Sequence, residues 1–164
     1  MSNRTPARAH VETKIVAADL DDARVRALLT EHLTTARATS PPCSAHALDI
    51  DELRAADLTV WAAWDGEALL GVGALKALSP EHGEIKSMHT ARLHRRRGVG
   101  DAILLHIVEA ARARAMSRLS LETGSAEYFK PARELYRKHG FVECPPFADY
   151  VEDPHSVYMT RVLR

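Results

Sequence analysis

Apolar residues along the chain change spacing several times, and each change marks an element. Val11 to Ala17 reads as a first strand. Val25, Leu28, Leu29 and Leu33 keep the spacing of one helix face, with Asp19 or Asp21 as the expected cap and Thr39-Ser-Pro-Pro42 as the stop. Ile50 and Leu53 suggest a short helix that begins near Asp49 or Asp51. Thr59–Trp64 and Ala68–Leu78 flank Asp65-Gly66, a strong hairpin signal. Ser79-Pro80-Glu-His-Gly83 makes the next turn, and Glu84–Thr90 reads as a fourth strand.

Beyond Gly100, Ile103, Ile107, Ala110 and Ala111 return to helical spacing. Arg118–Thr123 predicts a fifth strand, and Lys130–His139 a helix closed by Gly140. Phe141-Val142 and Ser156–Leu163 supply the last strands. Residues 1–10 carry no periodicity and read as a mobile tail ahead of one domain over 11–164. Strands, hairpins and helices in this order predict a single-domain α/β fold with a mixed sheet.

Composition narrows the setting. The 164 residues suit one domain with one core. Lys plus Arg and Asp plus Glu both number 22, so no overall charge draws the chain to nucleic acid or a membrane. The basic run Arg92–Arg97 lacks the interleaved aromatics of a nucleic-acid surface. No apolar stretch is long enough to span a bilayer, and Met1-Ser-Asn-Arg lacks a signal peptide's apolar run, so a cytoplasmic enzyme is the simplest expectation. Cys43 and Cys144 form no C-x-x-C pair, and the nine histidines show no metal-ligand spacing, so no metal is expected.

The stretch with the most chemistry is Arg95-Arg-Arg-Gly98-Val-Gly100, between the fourth strand and a helix. The first amides of a helix lack internal partners and carry the positive end of its dipole, and glycines let another molecule come close to them. With arginines in front, this makes a pyrophosphate cradle. It is not the dinucleotide fingerprint, because position 103 is Ile, and no lysine follows Gly100 as the ATP loop requires. Arg-x-x-Gly-x-Gly instead resembles the acetyl-CoA signature of the GNAT superfamily of N-acetyltransferases. Leu135-Tyr136-x-x-x-Gly140-Phe141 is similar to that superfamily's closing motif. Leu121–Ser125, Phe129–Ala132, Phe147–Tyr150 and Asp153-Pro154 resemble the bacterial YsnE-like acetyltransferases, a likeness over roughly residues 60–163.

The resemblance implies a mostly antiparallel central sheet, with splayed fourth and fifth strands and flanking helices. It implies acetyl-CoA as cosubstrate and a primary amine on a small molecule or peptide as acceptor. Backbone groups of Met88, His89 and Thr90 would hold the pantetheine arm. Arg95, Arg96, Arg97, Gly98, Val99, Gly100 and Asp101 would hold the pyrophosphate. Glu84 is the expected base, although it shares a strand face with Lys86 and could simply pair with it. Glu122 is the rival base or an anchor for the ammonium. Tyr136 would serve the leaving thiolate, and Asp149 stands in an acidic loop suited to a cationic acceptor. By strand alternation His89 should face away from Glu84. One position departs from the superfamily: Phe129 stands where an asparagine often contacts the cofactor. The alternative function is a non-catalytic acyl-CoA sensor of the same fold. A homodimer is compatible with the sequence, which does not require one.

Overall fold

A computed structural model describes residues 13–164. The expected tail over residues 1–10, and the start of the first expected strand, lie outside the described residues. Strands β1 (Lys14–Ala17), β2 (Leu58–Asp65), β3 (Ala68–Ala77), β4 (His82–Thr90), β5 (Arg118–Gly124), β6 (Val142–Glu143) and β7 (Ser156–Val162) form one sheet in the order β1-β2-β3-β4-β5-β7-β6. All neighbours are antiparallel except β4 and β5.

Helices α1 (Ala23–Thr39) and α2 (Ile50–Leu53) cover one face; α3 (Val99–Ala113) and α4 (Lys130–Lys138) cover the other. Strand alternation divides the core between them. Val60, Ala62, Val72 and Ala74 meet Val25, Leu28 and Leu29 of α1. Trp61, Ala63, Leu75, Ile85, Leu119 and Leu121 meet Ile103, Leu104 and Ile107 of α3. The close seat of α3 needs small residues on β3, since a Cβ on Gly73 would stand 2.6 Å from Ile103 Cγ2.

The caps follow side-chain chemistry. Asp22, rather than Asp19 or Asp21, caps α1 by accepting from the amide of Arg24, because its carboxylate stands next to the first free amides. Asp49 and Glu52 form a capping box on α2.

Two features of the sheet open the site. The parallel seam of β4 and β5 runs only from His82↔Arg118 to Ile85↔Leu121. Beyond it, β5 stays paired with β7 up to Gly124↔Ser156 and β4 with β3 up to Gly71↔Thr90, so the two strands part. The second feature is a bulge in β4. Val72 faces His89 but Ala74 faces Lys86, leaving Ser87 and Met88 opposite one residue, and Ser87 takes φ 54°. The extra residue reverses side-chain parity. His89 therefore lies on the α1 face together with Glu84 and Lys86, contrary to simple alternation.

Candidate active site

The parting of β4 and β5 forms a cleft of about 530 Å³. One wall is the turn from β4 into α3. Gly98 precedes α3 with φ 79°, a left-handed conformation that favours glycine, and no side chain caps the helix. Its first amides are thus available to an anion. Gly100 follows in the first turn, where an added Cβ would lie 3.1 Å from Leu135 Cδ2. Asp101 turns its carboxylate to α4, accepting from Lys138 Nζ at 2.8 Å and His139 Nε2 at 2.7 Å. Those bonds, Lys138's first, hold its carboxyl below the usual range and tie the two helices together. Met88, His89, Thr90, Arg95, Arg96, Gly98, Val99, Gly100 and Asp101 all line the cleft; Arg97 does not, and its guanidinium reaches toward His94.

Two acidic side chains line the middle of the cleft, in different environments. Glu84, only 3% exposed, accepts from Tyr150 Oη at 2.6 Å and pairs with Lys86 Nζ at 3.1 Å. Lys86 also donates to the Tyr150 hydroxyl at 3.1 Å. Burial and then the Glu84 charge push the Tyr150 phenol far up, so it stays a donor. Glu84 therefore has both an ion-pair partner and a hydrogen-bond donor. Among the described residues Glu122 has no ion-pair partner. Burial drives its carboxyl up to about 7, against the Ser156 hydroxyl and the Lys86 charge, which pull it down, and with the Glu84 charge adding to the rise.

Tyr136 reaches the cleft from α4 and is nearly buried against Phe141. Burial first, then the charge of Glu122, raises its phenol well above the usual value, so it remains protonated. Phe129 lines the same wall with its ring over Gly124, where no larger residue would fit. An aromatic face thus fills the position at which the superfamily often has an amide.

The far wall comes from α1 and the segment after it. His32, Ser44 and His46 line it and Tyr150 closes it, the last two ring to ring at 5.0 Å. Ser44 donates to Asp153, which fastens this wall to the loop before β7. Asp149 is exposed and does not line the cleft; its neighbour Tyr150 does. Sequence reasoning missed Tyr150, His32 and His46 as site residues. Tyr150 stood inside a quoted motif, but the histidines gave no local signal.

Chemically, the cleft offers an anion seat at one end and, among the side chains that line it, a protonatable carboxyl and a protonated phenol. Among the described residues, no group of three or more His, Cys, Asp or Glu side chains is arranged for a metal ion. That combination suits acyl transfer from a phosphorylated carrier. The family model of the acetyltransferase (GNAT) family matches residues 25–141, and the chain belongs to that family of acyltransferases. It is 52% identical over 145 residues to the uncharacterized N-acetyltransferase YsnE of Bacillus subtilis, covering 88% of this chain and 96% of that protein. A candidate acyl-CoA N-acyltransferase from Klebsiella pneumoniae superposes with TM-score 0.78 at 27% identity, over 94% of this chain and 99% of that one. A GNAT acetyltransferase of Elizabethkingia anophelis, with acetyl-CoA bound, shares the fold at TM-score 0.67 and 18% identity, over 92% and 98% of the two chains.

Proposed function

We propose that the protein transfers an acetyl group from acetyl-CoA directly to a primary amine of a small molecule or peptide. The observation that carries this reading is the cleft where β4 and β5 part, with uncapped amides of α3 at one end and both Glu122 and Tyr136 lining it. The acetyl-CoA bound in the Elizabethkingia neighbour supports the donor. So does the fit of this chain's glycines: Gly98 and Gly100 leave open the space a pyrophosphate needs, next to Arg95 and Arg96. Backbone groups of Met88, His89 and Thr90, freed where β5 leaves β4, would hold the pantetheine arm.

Bound acetyl-CoA supplies the acetyl group as a thioester. An amine nitrogen attacks its carbonyl carbon, the C–N bond forms and the C–S bond breaks. Glu122 accepts a proton from the attacking nitrogen, a task for which a carboxyl near 7 is well matched at neutral pH. Tyr136 donates its phenolic proton to the departing sulfur, and Glu122, whose charge is felt at Tyr136, restores that proton. Glu84 is assigned a different role from the expected one. Fixed by Lys86 and Tyr150, it braces the acceptor wall rather than moving protons.

The test is release of CoA thiol from acetyl-CoA across a panel of amines, amino acids, polyamines and peptides. Release that depends on an amine and yields its acetamide is expected. Tight acetyl-CoA binding without release on any amine would overturn transfer in favour of a sensor.

A further inference from the structure

The overall reaction must dispose of two protons. R–NH3⁺ and acetyl-S-CoA give R–NH-acetyl, CoA-SH and one free H⁺. The exchange between Glu122 and Tyr136 accounts for the proton that ends on sulfur. The other leaves the ammonium before attack, because a protonated nitrogen has no lone pair, and it needs an acceptor, which the wall on the α1 side offers.

A chain of side chains crosses that wall. His32 of α1 lines the cleft, and its Nδ1 lies 3.3 Å from Nδ1 of His89. His89 Nε2 lies 3.4 Å from Oε1 of Glu31, whose side chain is 38% exposed. Donor and acceptor roles follow from the end group. The Glu31 carboxylate only accepts, so His89 carries its proton on Nε2. A neutral His89 then has a bare Nδ1, which His32 fills with Nδ1–H. That leaves Nε2 of His32 as an acceptor with no proton.

We infer that Glu31, His89 and His32 form a relay that takes the first proton of the acceptor's ammonium at His32 Nε2 and delivers a proton to solvent at Glu31. Each transfer balances. His32 gains a proton on Nε2 and passes its Nδ1 proton to His89 Nδ1. His89 passes its Nε2 proton to the Glu31 carboxylate, which releases it to water. The transfer leaves His32 protonated on Nε2 and His89 on Nδ1 with no net gain of protons, and exchange of the ring protons with water as the two rings reorient restores the starting tautomers before the next cycle. Burial favours neutral rings: it takes His32 down to about 4, helped by His89, and lowers His89 despite the Glu31 bond. Arg92 and Arg95 also face His89 and disfavour its charge, so a proton does not rest there. The relay exists only because the bulge at Ser87 brings His89 to the α1 face.

The inference rests on the amine-transfer reading, and the test separates them. Acetyl-CoA is the donor, and benzylamine and aniline are the paired acceptors. Benzylamine is an ammonium at neutral pH; aniline is already a free amine. His32→Asn keeps a group near the Nδ1 position and removes Nε2. It should lower kcat/KM on benzylamine about a hundredfold more than on aniline, the scale of one lost proton-transfer group, whatever loss the changed wall causes on both. Glu31→Ala should show the same selectivity more weakly. Both deficits should shrink as pH rises toward the ammonium's own pKa. Equal loss on both amines, or no loss on either, would overturn the relay while amine transfer stood. A wild-type protein that releases no thiol on either probe or on any amine of the panel would overturn the transfer reading and the relay's task with it. Nitrogen-15 spectra of the histidine rings test the geometry without turnover: His32 protonated at Nδ1 and His89 at Nε2 are expected, and His32 protonated at Nε2 would sink the relay.

Discussion

The two ends of the cleft are built by different means. At the α3 end the chemistry belongs to backbone: uncapped amides, a left-handed Gly98, and Gly100, where an added Cβ would press on Leu135 at 3.1 Å. At the α1 end it belongs to side chains drawn from distant segments. Tyr150 meets Glu84 across 66 positions, His32 meets His89 across 57, and Ser44 meets Asp153 across 109. A backbone site needs a short contiguous run to set dihedrals, so it resists change and recurs as a motif. A side-chain site can vary one residue at a time, which is where acceptor choice can diverge without loss of the donor seat.

The sharpest way to break this contrast is at the backbone end. Gly100→Glu would put a side chain against Leu135 and a negative charge where the pyrophosphate is proposed to bind. Acetyl-CoA binding should become undetectable by calorimetry. A retained affinity would mean that the donor lies elsewhere. Loss of Arg95 alone should cost only about 1.5–3 kcal/mol, as for one charged hydrogen-bonding partner.

The next largest effects test the middle of the cleft. Glu122→Gln should lower kcat/KM by about two to four orders of magnitude with donor affinity preserved. Tyr136→Phe should lower kcat by roughly tenfold to a thousandfold, with melting temperature nearly unchanged, since the ring keeps its packing against Phe141. Glu84→Gln should reverse this pattern. It leaves Lys86, 9% exposed, without its counter-charge, so stability should fall by about 3 kcal/mol or more while turnover per folded molecule changes little. A large loss of turnover in Glu84→Gln at unchanged stability would return the base to that position.

These contrasts explain what could be read from the sequence. Strand and helix positions followed apolar spacing, and the Arg95–Gly100 loop announced itself because its function is written in adjacent residues. The pairing of Glu84 with Lys86 was also legible, as period 2 puts them on one face. The side on which His89 faces was not. One residue at φ 54° reverses every side chain after it, and neither Ser87 nor its neighbours carry a signal for a bulge. The shift of Glu122 was equally hidden, because burial by residues remote in sequence causes it. The choice of Asp22 over Asp19 or Asp21 as cap was a matter of register alone.

The smallest expected effect concerns stability against pH, and it sharpens the difference between the two acids. Burial raises the Glu122 carboxyl from 4.5 to about 7 in the folded protein. Between those values the folded state binds more protons than the unfolded one, so this group's contribution declines as pH rises and is fully unfavourable above about 7. His32 acts at the other limit. Its fall from 6.5 to about 4 means that the unfolded state binds more protons in that window, so stability is lost as pH falls through it. Glu122→Gln removes the first term and leaves the second. Its melting temperature should match wild type near pH 4.5 and exceed it at pH 8, by about 2–4 °C for each kcal/mol of relieved penalty in a domain of this size. The acid-side decline, to which His32, His82 and His89 all contribute, should be the same in both proteins. A constant difference across pH would mean that Glu122 carries no raised pKa, and the assignment of proton transfer to it rather than to Glu84 would lose its electrostatic basis.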